Sequence, residues 1–152
     1  MTVRFTPGGV LQIPLPGDRC AYAVMMQTRP YVAFYSDGAL GVNGDAGDPS
    51  EDPLFVIAVH KKSYSSGAWG EILRKVELAA LPEIPRFFRQ NAVNPQDCEL
   101  VDSVGGARSI DPQECVGLER DAVWEQGHIE QRIIDFYEGR KNAFVESMKV
   151  KI

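Results

Sequence analysis

The sequence predicts an α+β domain: a strongly bent antiparallel sheet over residues 1–110, followed by a mainly helical segment over 111–152. Three observations carry this. Apolar segments crowd residues 8–36 with turn residues between them. A Gly-Gly pair separates two short strand-like runs near residue 105. An amphipathic helical repeat occupies residues 128–138. At 152 residues, the chain is long enough for one domain with its own core.

The first strand reads from Val10, Leu11 and Ile13, and Pro14-Leu15-Pro16-Gly17-Asp18-Arg19 supplies turn chemistry. Cys20–Gln27 and Tyr31–Tyr35 are apolar, aromatic and β-branched, as strands prefer. Three strands so close together form a meander. Pro14 cannot donate to a ladder, so the first strand is expected at an edge or to end there.

Residues 36–53 read as a loop, rich in Gly, Pro and acids and free of Lys and Arg. Loops this long inside a domain are functional or disordered. Leu54–Val59 is a short apolar run, expected as a buried strand. Tyr64 and Trp69 sit in a Ser/Gly-rich loop and are expected to fold back on the core. Ile72–Leu81 fits a strand or a helix. Phe87-Phe88 is expected to anchor the irregular segment around Pro82 and Pro85. Cys98–Val104 and Ala107–Ile110 flank Gly105-Gly106, a hairpin signal, because glycine tolerates the positive φ of a tight turn.

From residue 111 the pattern is helical. Asp111-Pro112-Gln113-Glu114 has a capping acid, Pro at the first helical position and an acid at the third. Ile129, Ile133, Phe136 and Tyr137 mark one apolar helix face, Gly139 a C-terminal cap, and Asn142 the cap of a last short helix.

Composition excludes several classes. Apolar residues make up 44% and charged residues 24%, which is ordinary for a globular domain. The net charge of -5 argues against direct binding of nucleic acid and against a polybasic membrane surface. No apolar run approaches the ~20 residues that cross a bilayer, and the N-terminus shows no apolar leader. Three cysteines, Cys20, Cys98 and Cys115, without a CxxC pair fit reduced thiols and a cytoplasmic location. No cofactor or metal is expected.

The charge is patchy. Residues 37–52 carry -5 and residues 111–138 carry -6. Asp37, Asp45, Asp48, Glu51 and Asp52 make the loop the leading candidate surface for a basic partner, with the acids of 111–138 beside it. The spacing lacks the alternating ligands of a calcium loop. Tyr22, Tyr35 and Trp69 are the alternative: an aromatic groove for a peptide or small ligand. His60 and His128 have no Cys nearby in sequence, and a Cys/His enzyme is the weakest alternative. Arg120 and Arg132 are expected to pair with Glu119, Glu125 or Asp135.

These pieces together resemble the immunity-protein 26 family of bacterial polymorphic toxin systems. The resemblance rests on Gly9, Ile13-Pro14-Leu15, Gly17-Asp18-Arg19, Ala21-Tyr22-Ala23, the strands Val32–Tyr35 and Leu54–Val59, and Gly67-Ala68-Trp69. It continues through Gly117–Phe144, with its Leu-Glu-Arg, Ala-Val-Trp and Arg-Ile-Ile-Asp-Phe-Tyr elements. Ala23 stands where a Gly is expected, and residues 72–110 match least. The resemblance implies a non-enzymatic protein, monomer or homodimer, that neutralises the C-terminal domain of a cognate secreted toxin in contact-dependent inhibition. Many such toxins are nucleases, and nucleases are often basic. It implies no catalytic residues, and structural roles suit Trp69, Glu119, Arg120 and Trp124. The bent sheet of such a domain would take an SH3-like barrel as its most closed form.

Overall fold

The computed structural model describes residues 2–40 and 49–152. Among these, the predicted meander forms as β1 (Gly9–Leu15), β2 (Arg19–Met25) and β3 (Tyr31–Tyr35), joined by β4 (Phe55–Val59). Two further strands are only two residues long: β5 (Arg74–Lys75) and β9 (Val123–Trp124). The six-stranded sheet runs β5-β1-β2-β3-β4-β9, antiparallel except for β4 and β9, which are parallel. A second sheet contains β6 (Phe87–Gln90), β7 (Cys98–Val101) and β8 (Ala107–Ile110) in that order. The α+β class is as predicted.

The larger sheet is open, not an SH3-like barrel. The reason lies in the strand sequences. β3 and β4 are almost wholly buried along both faces, and β2 beyond its first two residues. One face packs Leu11, Ile13, Ala23, Phe34 and Ile57 against Trp69, Trp124, Ile129 and Ile133. The other packs Val10, Tyr22, Val24, Ala33, Tyr35 and Val56 against Ala39, Leu40, Val76 and Leu81. Because helices cover one face and connections the other, the sheet buries its apolar surface without rolling onto itself.

Local chemistry explains the elements. β1 has an outer neighbour only at Gly9 and Val10, so Pro14 lies on open edge, as its missing N–H requires. Gly8, with φ 83°, precedes the strand where a Cβ would come within 2.6 Å of the Val76 carbonyl oxygen. The undecided segment 72–81 becomes β5 and a 3₁₀ turn at Leu78–Ala80. The loop after β4 contains a single helical turn, α1 (Lys62–Ser65), and buries Tyr64 and Trp69 as expected.

The C-terminal part is less helical than its pattern. Asp111 and Glu114 form a capping box, but the turn they start, Pro112–Cys115, is 3₁₀ and stops there. Val123–Trp124 is strand. The helices are α2 (Gln126–Tyr137) and α3 (Ala143–Met148). Gly139 closes α2 at φ 70°, and the Asn142 side chain accepts the Val145 N–H at 2.9 Å to cap α3. Phe136, read as part of the buried face, is 58% exposed, whereas Ile129 and Ile133 are fully buried. None of the helices is long and apolar enough to cross a membrane, among the described residues.

The segment Glu119–Trp124 is the seam between the sheets. The Phe88 N–H donates to the Glu119 carbonyl at 3.1 Å, and the Asp121 N–H donates back to the Phe88 carbonyl at 2.8 Å. Next to it, Tyr31 stacks on Phe87 with ring centres 5.5 Å apart. Arg132 on α2 holds this seam. Its guanidinium lies 3.8 Å above the Phe55 ring and 5.0 Å from Trp124, and donates to both Glu119 oxygens at 2.6 and 3.1 Å.

Two stability outcomes follow. Arg132→Gln lowers the unfolding free energy by roughly 1.5–3 kcal/mol, because it strands a half-buried carboxylate and uncovers two rings. Ile133→Ala lowers it by about 2–5 kcal/mol, whereas Phe136→Ala stays within about 0.5 kcal/mol of the parent. Denaturant midpoints of the three variants check both.

Candidate functional site

The site grows from the way the long loop is closed at its base. β3 ends at Tyr35, and the chain then turns so that Ala39 and Leu40 bury completely on one sheet face. The returning strand is stitched to it. The Ser50 N–H and hydroxyl donate to the Ala39 carbonyl at 2.8 and 3.1 Å. The Ser36 hydroxyl donates to Glu51 at 3.0 Å, and the Leu54 N–H to the Phe34 carbonyl at 2.6 Å. Asp37, Glu51 and Asp52 are thereby held at one end of the sheet. Asp45 and Asp48 lie outside the described residues.

Tyr137, at the end of α2, fixes the Asp37 side of this base. Its hydroxyl donates to the Cys20 carbonyl at 2.8 Å and accepts the Asp37 N–H at 2.9 Å. Arg19 lies 3.8 Å above the same ring and 3.7 Å from the Asp37 carboxylate. Burial, with the Asp37 charge adding to it, pushes the Tyr137 phenol up to about 12. The phenol therefore keeps its proton and stays a donor at every physiological pH.

Two clefts flank the base. The first, of about 910 Å³, is lined among others by Asp18, Arg19, Cys20, Asp37, Trp69 and Glu71. It carries three carboxylates against one guanidinium, which Asp37 already engages. The second, of about 480 Å³, is lined by Tyr35, Ser50, Glu51, Asp52, Leu81 and Pro82 among others. Burial and the Asp52 charge push the Tyr35 phenol up to about 12. Asp18 and Glu71 join the site without having been singled out in the sequence. Asp18 carried a signal, the Pro-Gly-Asp-Arg turn, where it takes φ 56°. Glu71 carried none, since only the packing of Trp69 brings its loop to the cleft.

Tyr22, Tyr35 and Trp69 do not make one aromatic groove. Tyr22 and Tyr35 pack on one face of the sheet and Trp69 on the other, and each is only 1% exposed. Tyr22 and Trp69 reach the floor of the first cleft, while Tyr35 reaches only the second. The Trp69 indole N–H is spent on Glu130 at 3.0 Å.

Of the acids of 111–138, Glu119, Asp121, Glu130 and Asp135 are tied into the fold, whereas Asp111, Glu114, Glu125 and Glu138 stay exposed. Glu119 is held by Arg132, and Glu130 accepts from Trp69 and Gln126. Asp121 pairs with Arg89 at 2.7 Å, Asp111 and Glu114 cap each other's turn, and Glu138 pairs with Arg140. Asp135, buried at the end of α2, accepts from Gln131 at 2.9 Å, Asn142 at 2.9 Å and Arg140 at 3.0 Å. The Gln131 and Asn142 donors, then Arg140, hold its carboxyl below the usual carboxylate range. Arg120 departs from the expected acid pairing: it donates to the Met148 and Lys149 carbonyls and lies 4.8 Å from the Phe88 ring.

The groups needed for nucleophilic catalysis are placed elsewhere. Cys98 and Cys115 are buried, and burial with the neighbouring Cys98 pushes the Cys115 thiol up to about 11. His60 accepts the Lys62 N–H at 3.3 Å, and His128 stacks on Phe144 at 4.0 Å. No trio of His, Cys, Asp or Glu side chains is arranged to hold a metal ion, among the described residues. No protein-family model matches the chain, and no similar protein is found among curated proteins or solved structures.

The Asp135 cluster gives a pH signature. Because its folded pKa lies below the ordinary 3.8, its contribution to stability is complete above that value and is lost as the pH falls through the folded pKa. Asp135→Asn therefore lowers the melting temperature at neutral pH, and the gap to the parent narrows in strong acid. Thermal melts of both proteins from neutral pH down to strong acid check this.

Proposed function

We propose that the protein is an immunity-type neutraliser that binds a basic toxin domain through the carboxylate-rich end of its larger sheet. The supporting observation is the gathering of Asp18, Asp37, Glu51, Asp52 and Glu71, from separate stretches of chain, around the base of one acidic loop. Glu119, Glu130 and Asp135 of the 111–138 segment are held by partners within the fold, whereas the five acids here converge from separate stretches on one end of the sheet and present their charge together.

Charge placed this way acts first on encounter. Carboxylates at one end of the molecule raise the association rate of a cationic partner and orient it before contact. The two clefts would then receive protruding side chains, with Lys and Arg suited to the first. Such a partner would be the C-terminal domain of a cognate secreted toxin, neutralised in the cytoplasm by occlusion, with no chemistry on either side. The mixed lining and the 910 Å³ volume of the first cleft favour a second reading, a small-ligand or peptide module, since ligand sites fall in that size range.

The test uses a basic toxin C-terminal domain that the parent chain binds. The triple variant Asp37→Asn, Glu51→Gln, Asp52→Asn should associate with it at least about tenfold more slowly at low salt, and the difference should shrink as salt screens the charges. Stopped-flow association across a salt series measures this. Unchanged rates at low salt would sink the proposed surface, and saturable binding of a free peptide in the first cleft without any toxin would favour the second reading.

A further inference from the structure

The cysteines the proposed function leaves unused are brought together by the smaller sheet. Cys98 opens β7, and its register partner is Ile110, the last residue of β8. The chain turns immediately after Ile110 through the capped Pro112–Cys115 turn, which returns Cys115 over the start of β7. Cys98 and Cys115 are 1% and 0% exposed and pack in one cluster with Phe88 and Ile110, and the neighbouring Cys98 thiol adds to burial in raising the Cys115 pKa. Their positions are 17 residues apart in sequence, and only the hairpin and the turn bring them into contact.

We propose that Cys98 and Cys115 form a redox-modification site, a buried dithiol that closes into an intramolecular disulfide by exchange with a low-molecular-weight disulfide. Three features support this. The thiols come from two elements already fixed against each other, so closing the bond requires side-chain rotation more than backbone travel. Each thiol donates only a long bond to a local carbonyl, Cys98 to Pro95 at 3.6 Å and Cys115 to Asp111 at 3.7 Å, so no strong hydrogen bond pins either sulfur in its rotamer. A groove of about 400 Å³, lined by Val116, Leu118, Val145, Met148 and Val150, borders the turn that carries Cys115, so a local opening of that turn would bring a small reagent to the buried sulfur.

The exchange balances in two steps. The Cys115 thiolate attacks one sulfur of the small disulfide, forms a mixed disulfide and expels one small thiolate. The Cys98 thiolate then attacks the Cys115 sulfur and expels the second. The protein loses two electrons and two protons, and the reagent gains them as two thiols. The raised Cys115 pKa keeps the thiolate fraction small, so closure is slow near neutrality and speeds up as the pH rises. The bond would tie the 3₁₀ turn to β7 and close a loop containing the whole β7–β8 hairpin.

The full-length chain is incubated with glutathione disulfide at several pH values, unfolded in alkylating reagent and digested with trypsin. Cleavage after Arg89, Arg108 and Arg120 puts the two cysteines in separate peptides. The expected result is a crosslinked pair of those peptides and an intact mass reduced by two hydrogens, with the yield rising with pH. The same crosslink should form in a Cys20→Ser variant. Full alkylation of Cys98 and Cys115 after prolonged exposure, a mixed disulfide that never closes, or a crosslink through Cys20 would each overturn the proposal. Because the readout is on the parent chain, it does not depend on a Cys98→Ser variant folding, nor on any toxin binding.

Discussion

The structure depends on where one guanidinium sits. Arg132 is 13% exposed, stacked on Phe55 of β4 and close to Trp124 of β9, with both Glu119 oxygens in its fork. A cation this buried is tolerable only because its charge is matched by the carboxylate and its faces are covered by rings. Through it, α2, the larger sheet and the seam that runs to the smaller sheet share one contact. Backbone hydrogen bonds, the Tyr31–Phe87 stack, the Arg89–Asp121 ion pair and Arg120 over Phe88 complete the seam.

Two-sided burial of the larger sheet follows from the same arrangement. α2 and α3 cover one face, fixed there by Arg132 and by Trp124, which meets Phe144 edge-on at 4.8 Å. The opposite face carries no α-helix among the described residues and is covered by the loop base and the segment around Val76 and Leu81. The acidic end is therefore part of the core's closure on that face: Ala39 and Leu40 fill the core while Asp37, Glu51 and Asp52 stay outside. Tyr137 joins the two sides, since one phenol hydrogen-bonds both the β2 backbone and the loop. This coupling gives the proposed docking surface a rigid base.

Much of the fold could be read from sequence because its signals are local. β1 to β4 are near-continuous apolar runs bounded by Pro, Gly and Asp. The smaller-sheet hairpin is marked by its Gly pair and the last helix by Asn142. The misread parts depend on distant partners. Val123–Trp124 looks helical by neighbourhood but is a strand because β4 offers an open edge. Phe136 fits the helical period, yet it stays 58% exposed, because the described residues leave that part of α2 uncovered. Residues 72–81 have too little pattern to choose and take the shape the sheet edge allows. For the site, the acids of the loop base were identifiable as a charge cluster. The cleft acids Asp18 and Glu71 were not, since they come from separate loops that only the packing brings together.

The sequence by itself determined that this is an α+β chain with a buried meander, an acid-rich loop and a capped C-terminal helical part, because those properties reside in turn chemistry, apolar runs and composition. Only the tertiary structure decided which acids remain available, that the sheet stays open, that the three aromatic residues split between opposite faces, and that two cysteines meet. Each of these depends on residues far apart in the chain competing for the same space or the same charge. Glu119 and Asp135 look no different from Glu51 and Asp52 in a list of acids. They differ because Arg132, Gln131, Asn142 and Arg140 arrive at the first two, whereas Glu51 accepts from a serine hydroxyl among the described residues.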